Sequence, residues 1–387
     1  MTTNQVKGRV LVAMSGGIDS SVAAVLLHEA GYEVVGMTMK TWDYATAGGS
    51  KKETGCCSLD SINDARDIAV RLGFPHYIID IREEFGDYVI DNFTEEYLAG
   101  RTPNPCVLCN THIKWDALLR RADMLGCEFI ATGHYARIRH DEATDRYVVS
   151  KGLDENKDQS YALWGVSQAS LSRTLFPLGD LRKTEIYDEA RRRGFTALVN
   201  KPESYEICFI PDNDYRGFLR RRVPGLDERV AGGRFVLADG TEVGRHEGYP
   251  FYTIGQRKGL GIALGFPAYV VAIRPATNEV VLGNYDELAS SFTTVHKLNL
   301  GKLASLEGRG LVPAVVKVRY HHAGTPALLE QDGPDHIRIY FTEPVHAVTP
   351  GQAAVFYDGA DVLGGGWISR HVIGEAPEPV LATAVSA

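Results

Sequence analysis

The chain has 387 residues, of which 44% are hydrophobic and 23% charged, the balance of a soluble globular protein with room for two or three domains. Its net charge of −8 excludes a generic, sequence-blind polyanion binder, so a nucleic acid would have to be held by local basic patches. No apolar run is long enough to cross a bilayer, and residues 1–8 lack the charged start and apolar stretch of a secretory signal, so a cytoplasmic protein without a membrane partner is expected.

In chain order, residues 10–14 read as a strand and 20–30 as a helix closed by Gly31. Residues 34–39 form a second strand, followed by a polar, glycine-bearing loop over 41–60. A helix over 61–72, a strand over 76–80, a helix over 83–99, a helix over 114–125 and a short strand over 129–132 follow. Strands alternating with helices predict right-handed βαβ units, hence an α/β domain on a parallel sheet. After a further helix over 183–193 the composition shifts near Pro211, and glycine-rich, strand-prone segments take over. They predict a small mixed domain, then an all-β barrel. The expected division is 1–211, 212–290, 291–374, and a disordered Pro/Ala-rich tail over 375–387.

The segment with the most chemistry is Met14-Ser15-Gly16-Gly17-Ile18-Asp19-Ser20-Ser21, between the first strand and the first helix. Adjacent glycines let backbone N–H groups converge on an anion, and a helix start presents unpaired donors. The segment has neither the spacing nor the lysine of a Walker loop. Its S-G-G-x-D-S order resembles the pyrophosphate loop of ATP pyrophosphatases, which cleave ATP between the α and β phosphates to adenylate a substrate.

Six cysteines in a reducing compartment read as metal or redox chemistry before structural disulfides. Cys106-Val107-Leu108-Cys109 follows Pro103-Asn104-Pro105, two prolines that keep the loop out of a helix. A lone C-x-x-C serves as a zinc half-site, a redox pair or part of an iron–sulfur site. Downstream only Cys127 and Cys208 are available, so structural zinc is disfavoured. Cys127 reads as a buried bystander, and the pattern assigns no role to Cys56 and Cys57.

From Gly8 to about Ile373 the chain resembles the tRNA-specific 2-thiouridylases (tRNA-uridine 2-sulfurtransferases). The matching blocks are residues 13–21, 100–105, 131–135, 157–161, 207–210, and 253–260, the last reading Thr-Ile-Gly-Gln-Arg-Lys-Gly-Leu. The resemblance implies that Ala13, Met14, Ser15, Gly16, Gly17, Ile18, Asp19, Ser20, Met39 and Gly133 hold ATP, with Asp19 on Mg²⁺. It implies that the wobble uridine of a tRNA is adenylated at its 2-carbonyl oxygen, giving pyrophosphate, and that sulfur then displaces AMP. Cys208 would carry a persulfide from a cysteine desulfurase or sulfur-relay protein, and Cys109 would attack the persulfide or the activated base. Asn104, Pro105 and Cys106 would lie against the flipped base. His134, Lys157, Asp158, Gln159, Arg319, Tyr320 and Gln352 would contact the tRNA, and a monomer is expected.

One departure stands out. Well-known family members carry an aspartate, a proposed acid–base residue, at the position of Cys106, and a thiol does not replace a carboxylate at neutral pH without a large pKa shift. Cys106, Cys109 and Cys208 could instead be three ligands of a [4Fe-4S] cluster whose open iron takes sulfide. Persulfide relay is the leading reading, with the cluster-dependent version of the same thiolation beside it. The rivals are another pyrophosphate-loop adenylating enzyme and, from a different class, a zinc-bearing RNA-binding module.

Overall fold

The structure, a computed structural model, describes residues 7–42, 58–201, 207–210 and 212–369. Cys56 and Cys57, most of the expected 41–60 loop, Pro211 and the 375–387 tail lie outside the described residues. The chain divides into two compact units, one of residues 1–92, 105–224 and 360–362, the other of 93–104, 225–359 and 363–387.

The first unit is built on strands β1 (Arg9–Ala13), β2 (Glu33–Lys40), β3 (His76–Asp80) and β4 (Phe129–Ala131), a hairpin of β5 (Ala136–Asp141) and β6 (Arg146–Lys151), and the short β7 (Thr174–Leu175). Among the described residues its main sheet runs β3-β2-β1-β4-β7, every neighbouring pair parallel. Val10, Leu11 and Val12 are fully buried, as an unbroken apolar run on a strand covered on both faces must be. Helix α1 (Ile18–Glu29) packs Val22, Ala23, Ala24 and Val25 into this core. Helix α2 (Leu59–Leu72) starts on a Ser58 side-chain cap and ends on Gly73 at φ 75°, the left-handed conformation a C-terminal glycine supplies without strain. The order of strands reverses at β1, so the crevice beyond the ends of β1 and β4 is the switch point where such sheets bind ligands.

The expected helix over 83–99 is present but broken into Arg82–Phe85, a π-helical turn at Gly86–Ile90, and Asp91–Leu98. The cysteine loop departs further from expectation. Helix begins at Pro105 itself, continues as a π-helical segment over Cys109–Lys114, and runs on through Trp115–Met124. Proline at the first helical position costs nothing, because that N–H has no intrahelical acceptor in any case. The β5–β6 hairpin has no sharp apolar alternation in the sequence; its turn is marked by Asp145 at φ 52°.

The second unit holds a four-stranded mixed sheet of β8 (Gly233–Val236), β9 (Glu242–His246), β10 (Tyr269–Arg274) and β11 (Glu279–Gly283), in the order β10-β11-β8-β9. It also holds a barrel of β12 (Ala289–Leu300), β13 (Val312–Lys317), β14 (Thr325–Gln331), β15 (His336–His346), β16 (Ala353–Asp358) and β17 (Asp361–Ile368). Pairing of β12 with β17 closes it. Val295, Val316, Leu329, Ile337, Ile339 and Phe356 fill the interior, and closure removes the unpaired edges an open sheet would expose. Residues 93–104 belong to this unit. The Tyr249 hydroxyl donates to the Leu98 carbonyl at 2.6 Å, and a Cβ on Gly100 would lie 2.7 Å from the Pro275 ring.

Candidate active site

The loop from Met14 to Gly17 leaves β1 at the switch point and is fixed by short polar contacts. The Met14 carbonyl accepts from Thr38 Oγ1 at 2.8 Å, and the Ser15 amide donates to Ser20 Oγ at 3.0 Å. Gly16 sits at φ 71°, and a Cβ there would lie 1.9 Å from the Ser61 carbonyl oxygen, so no side chain fits without moving α2. A Cβ on Gly133, just beyond β4, would meet the Ser20 amide nitrogen at 2.7 Å. Both glycines therefore permit close backbone approach rather than mere flexibility. Gly17 caps α1 without a side-chain hydrogen bond, which leaves the first-turn donors of that helix to an anion. Ala13, Met14, Ser15, Ile18, Asp19, Ser20 and Met39 lie on this loop, on the strand ends flanking it, or in the helix start. The donor set fits a nucleotide phosphate.

Cations surround the loop. Lys183, 7% exposed, places Nζ 2.7 and 2.8 Å from the two oxygens of Asp19, and the Tyr135 hydroxyl donates to Oδ1 at 2.6 Å. Lys201 Nζ donates to the Gly16 carbonyl at 3.1 Å, Ser61 Oγ at 2.9 Å and Asp64 Oδ2 at 2.8 Å. The carboxylate expected to hold Mg²⁺ is thus already neutralised. A divalent ion would compete with Lys183 for both oxygens, so Asp19 as arranged does not fit a direct Mg²⁺ ligand.

Cys106 and Cys109 are three residues apart on the helical run that starts at Pro105, a spacing that puts them on one face. Cys106 is exposed and Cys109 half-buried. Desolvation nevertheless pushes both thiols above the usual cysteine range, with Lys114 opposing it. Lys114 is held by Asn110, whose Oδ1 accepts from Nζ at 2.8 Å. Cys208 is exposed, and the next residue, Phe209, is buried against Phe85 and Phe218. The 105–108 helix packs on the Gly86–Ile90 turn and the 109–114 segment on Arg82–Phe85, so both cysteine segments lean on the same helical stretch. Among the described residues, no three His, Cys, Asp or Glu side chains converge as a metal site. Cys106, Cys109 and Cys208 therefore do not fit a shared cluster or zinc ion as they stand. Cys127 is buried, as expected of a bystander.

The positions expected to touch tRNA fall into two kinds. Asp158 accepts from the amides of Gly152 and Ser160 at 3.1 Å each and from Ser160 Oγ at 2.9 Å. Gln159 Oε1 accepts from the Tyr135 amide at 3.0 Å. These two side chains hold the half-buried 157–160 loop in place. His134 is packed between Trp115 and Phe176, with Nδ1 2.6 Å from Thr132 Oγ1. Burial drives its pKa well below the ordinary histidine value, so it is neutral at physiological pH and offers no charge to a phosphate. In the second unit Arg319 and Tyr320 are exposed at the turn after β13, with the Tyr320 ring edge-on to His321 at 4.9 Å. Gln352 Nε2 donates to the carbonyls of Thr102 and Pro103 at 3.1 and 2.9 Å, which fixes the strand of chain leading to Asn104.

Known proteins resemble this chain along nearly its whole length. A family model described as "tRNA methyl transferase HUP domain" matches residues 8–212, one described as "tRNA methyl transferase PRC-barrel domain" matches 218–284, and an "Aminomethyltransferase beta-barrel domain" matches 295–368. A tRNA-specific 2-thiouridylase of Amoebophilus asiaticus is 72% identical over 94% of this chain and 95% of its own length. Those of Cytophaga hutchinsonii and Salinibacter ruber are 69% and 60% identical over 94% and 96% of this chain and 97% and 96% of their own lengths. The chain belongs to the tRNA-specific 2-thiouridylase family. Against the residues that the 2-thiouridylase resemblance singles out, the structure adds Lys183, Lys201 and Tyr135. Lys183 opens a helix whose Glu185 carboxylate accepts from the Arg182 amide at 2.7 Å. That pattern signals a helix start in the sequence, but nothing local signals its contact with Asp19.

Proposed function

We propose that this protein is an ATP-dependent tRNA-uridine 2-sulfurtransferase working through a cysteine persulfide. What supports it is the placement of a glycine-turned phosphate cradle at the switch point in the same compact unit as the Cys106–Cys109 helix and Cys208. The amides of the Met14–Ser20 segment, with Met39 and Gly133 beside them, bind ATP. Asp19, locked by Lys183 and Tyr135, positions the helix start rather than a metal. Cleavage of ATP at its α–β bond attaches AMP to the 2-carbonyl oxygen of the wobble uridine, which turns a poor leaving oxygen into a good one. A sulfur-donor protein, a cysteine desulfurase or relay protein, leaves a persulfide on Cys208. The Cys109 thiolate attacks Cys208 Sγ, forms the Cys109–Cys208 disulfide and expels hydrosulfide, which adds at C2 as AMP departs. Asn104, Pro105, Lys157, Arg319 and Tyr320 are the proposed tRNA contacts, with His134 as a neutral hydrogen-bonding partner and Asp158, Gln159 and Gln352 holding the loops that present them.

Two of the matching models are described as methyl transferases. A phosphate cradle and a set of accessible cysteines favour sulfur transfer over methyl transfer. The test is pyrophosphate release from ATP, stimulated by unmodified tRNA, followed by mass spectrometry of the digested tRNA for 2-thiouridine. Release that tRNA does not stimulate, or tRNA that gains a methyl group and no sulfur, overturns the reading.

A further inference from the structure

Sulfur transfer from a persulfide leaves a problem that the three cysteines of the first unit answer. Each turnover of the proposed chemistry reduces the sulfane sulfur to hydrosulfide with two electrons drawn from Cys109 and Cys208. Both residues end in one disulfide, and Cys208 cannot be recharged until it is a thiol again. Where the resemblance leads one to expect an aspartate, this chain has Cys106. It occupies the second position of a helical run that begins at Pro105, and Cys109 follows three residues later. Residues at i and i+3 of a helix stand about 5–6 Å apart at Cβ, and a disulfide needs about 3.5–4.5 Å, so the pair closes by a local shift of about one to two ångströms at the first turn of the run. Cys106 is the more exposed of the two and Cys109 the more enclosed. The exposed member of such a pair is the one an external dithiol can reach.

We propose that Cys106 is the resolving thiol of the sulfur-transfer cycle, an inference that rests on the proposed function above. The Cys106 thiolate attacks Cys109 Sγ. The Cys106–Cys109 bond forms, the Cys109–Cys208 bond breaks, and the electron pair leaves on Cys208, which takes up a proton or accepts the next persulfide sulfur directly. No oxidant enters, because the disulfide is only moved. A thioredoxin-class dithiol then reduces Cys106–Cys109 to two thiols and is itself oxidised. An aspartate at this position could do none of this. Cys106 thus exchanges an acid–base residue for a sulfur one, and Cys208 is freed without a reductant having to reach it.

The test is a single turnover. Protein persulfidated on Cys208 is mixed anaerobically with ATP and unmodified tRNA, without reductant, then acid-quenched, alkylated and mapped by peptide mass spectrometry across all six cysteines. The expected result is one Cys106–Cys109 disulfide for each 2-thiouridine made, with Cys208 alkylated. Cys106→Ser and Cys106→Ala should both trap the Cys109–Cys208 disulfide, and with a thioredoxin-class dithiol present they should stop after one turnover where the unsubstituted protein cycles, until a small dithiol is added. Two-thiouridine accompanied by a Cys109–Cys208 disulfide in the unsubstituted protein overturns the resolving role and leaves the functional reading standing. A disulfide to Cys56 or Cys57 overturns it equally. So does an iron–sulfur cluster, formed on reconstitution with iron and sulfide, that Cys106→Ser abolishes, since a ligated thiolate cannot also exchange. Absence of both 2-thiouridine and any disulfide overturns the functional reading and the proposal with it.

Discussion

Lys183 and Asp19, 164 residues apart in the chain, form a doubly hydrogen-bonded ion pair at 2.7 and 2.8 Å directly behind the phosphate cradle. Asp19 lies in the first turn of α1, where its negative charge also favours the helix dipole. The lysine side chain is 9% exposed and the aspartate 33%, so the pair is partly shielded from solvent. Lys183→Ala would leave the aspartate charged and poorly solvated, a loss of about 1–3 kcal/mol. Denaturant midpoints should fall accordingly, and tRNA-stimulated pyrophosphate release should drop about 100-fold, the scale of losing one charge-stabilising donor from an active site. The double substitution Asp19→Asn with Lys183→Met should recover stability but not activity. Recovery of both would show that the pair is structural only.

Gly16 offers a sharper steric test. With φ at 71° and the Ser61 carbonyl 1.9 Å from where a Cβ would be, Gly16→Ala must displace either the loop or the start of α2. The expected cost exceeds about 1 kcal/mol, as for alanine forced into a left-handed conformation. ATP affinity, measured by calorimetry, should fall more than stability does, because the amides that converge on phosphate are carried by the displaced loop. Unchanged ATP affinity would rule out this loop as the cradle.

How much of this was legible in the sequence depends on distance along the chain. The cradle is local: glycine, acid and serines within eight residues state their own geometry, and the strand before and helix after follow from apolar runs. The helix that begins at Pro105 is hidden in the sequence because two nearby prolines argue against helix, whereas the second occupies the first helical position, which tolerates proline. Lys183 and Lys201 were invisible because their partners, Asp19 and the Gly16 carbonyl, are supplied by the fold and not by spacing. The 158–159 pair shows the reverse. It was legible as a family block, but its side chains turn out to be engaged by the protein's own amides.

The cysteine chemistry should depend on pH in a defined direction. Burial raises the Cys109 thiol above its usual range, and the Lys114 ammonium pulls it partly back. Only the thiolate attacks, so sulfur transfer should accelerate as pH rises from neutral toward the alkaline range. Lys114→Met removes the opposing cation and should shift the whole profile to higher pH. Alkylation of Cys109 by iodoacetamide, followed against pH by mass spectrometry, reads the titration directly. A rate that is flat from pH 6 to about 9 would show a thiolate already formed at neutrality, contrary to a raised pKa.

Gln352 ties the 102–104 segment through two hydrogen bonds from one amide nitrogen, at 3.1 and 2.9 Å. Gln352→Ala removes both at a net cost of about 1–2 kcal/mol, and Asn104 loses its support. If that segment faces the tRNA, the KM for tRNA should rise about 10-fold, the equivalent of 1.4 kcal/mol, while kcat changes less. A fall in kcat at constant KM would instead assign Gln352 to the chemical step.

The second unit carries its own pH limit in His246. Its ring is buried against Phe235 and Tyr252, and Nδ1 accepts from the Gly248 amide at 3.1 Å. Desolvation lowers its pKa to about 4, against 6.5 for the exposed group, with the Arg234 backbone only partly compensating. The unfolded chain therefore binds a proton on this histidine over a range where the folded unit does not. Above pH 6.5 the group is neutral in both states and has no effect. As pH falls below that value the unfolded state is increasingly favoured, until the folded form also protonates near pH 4. The full destabilisation is about 3 kcal/mol, since each pKa unit is worth about 1.4 kcal/mol. Replacement by a neutral ring of similar shape, His246→Phe, should make denaturant stability of the unit less sensitive to pH between 6.5 and 4. Equal slopes in the two proteins would locate the acid sensitivity elsewhere.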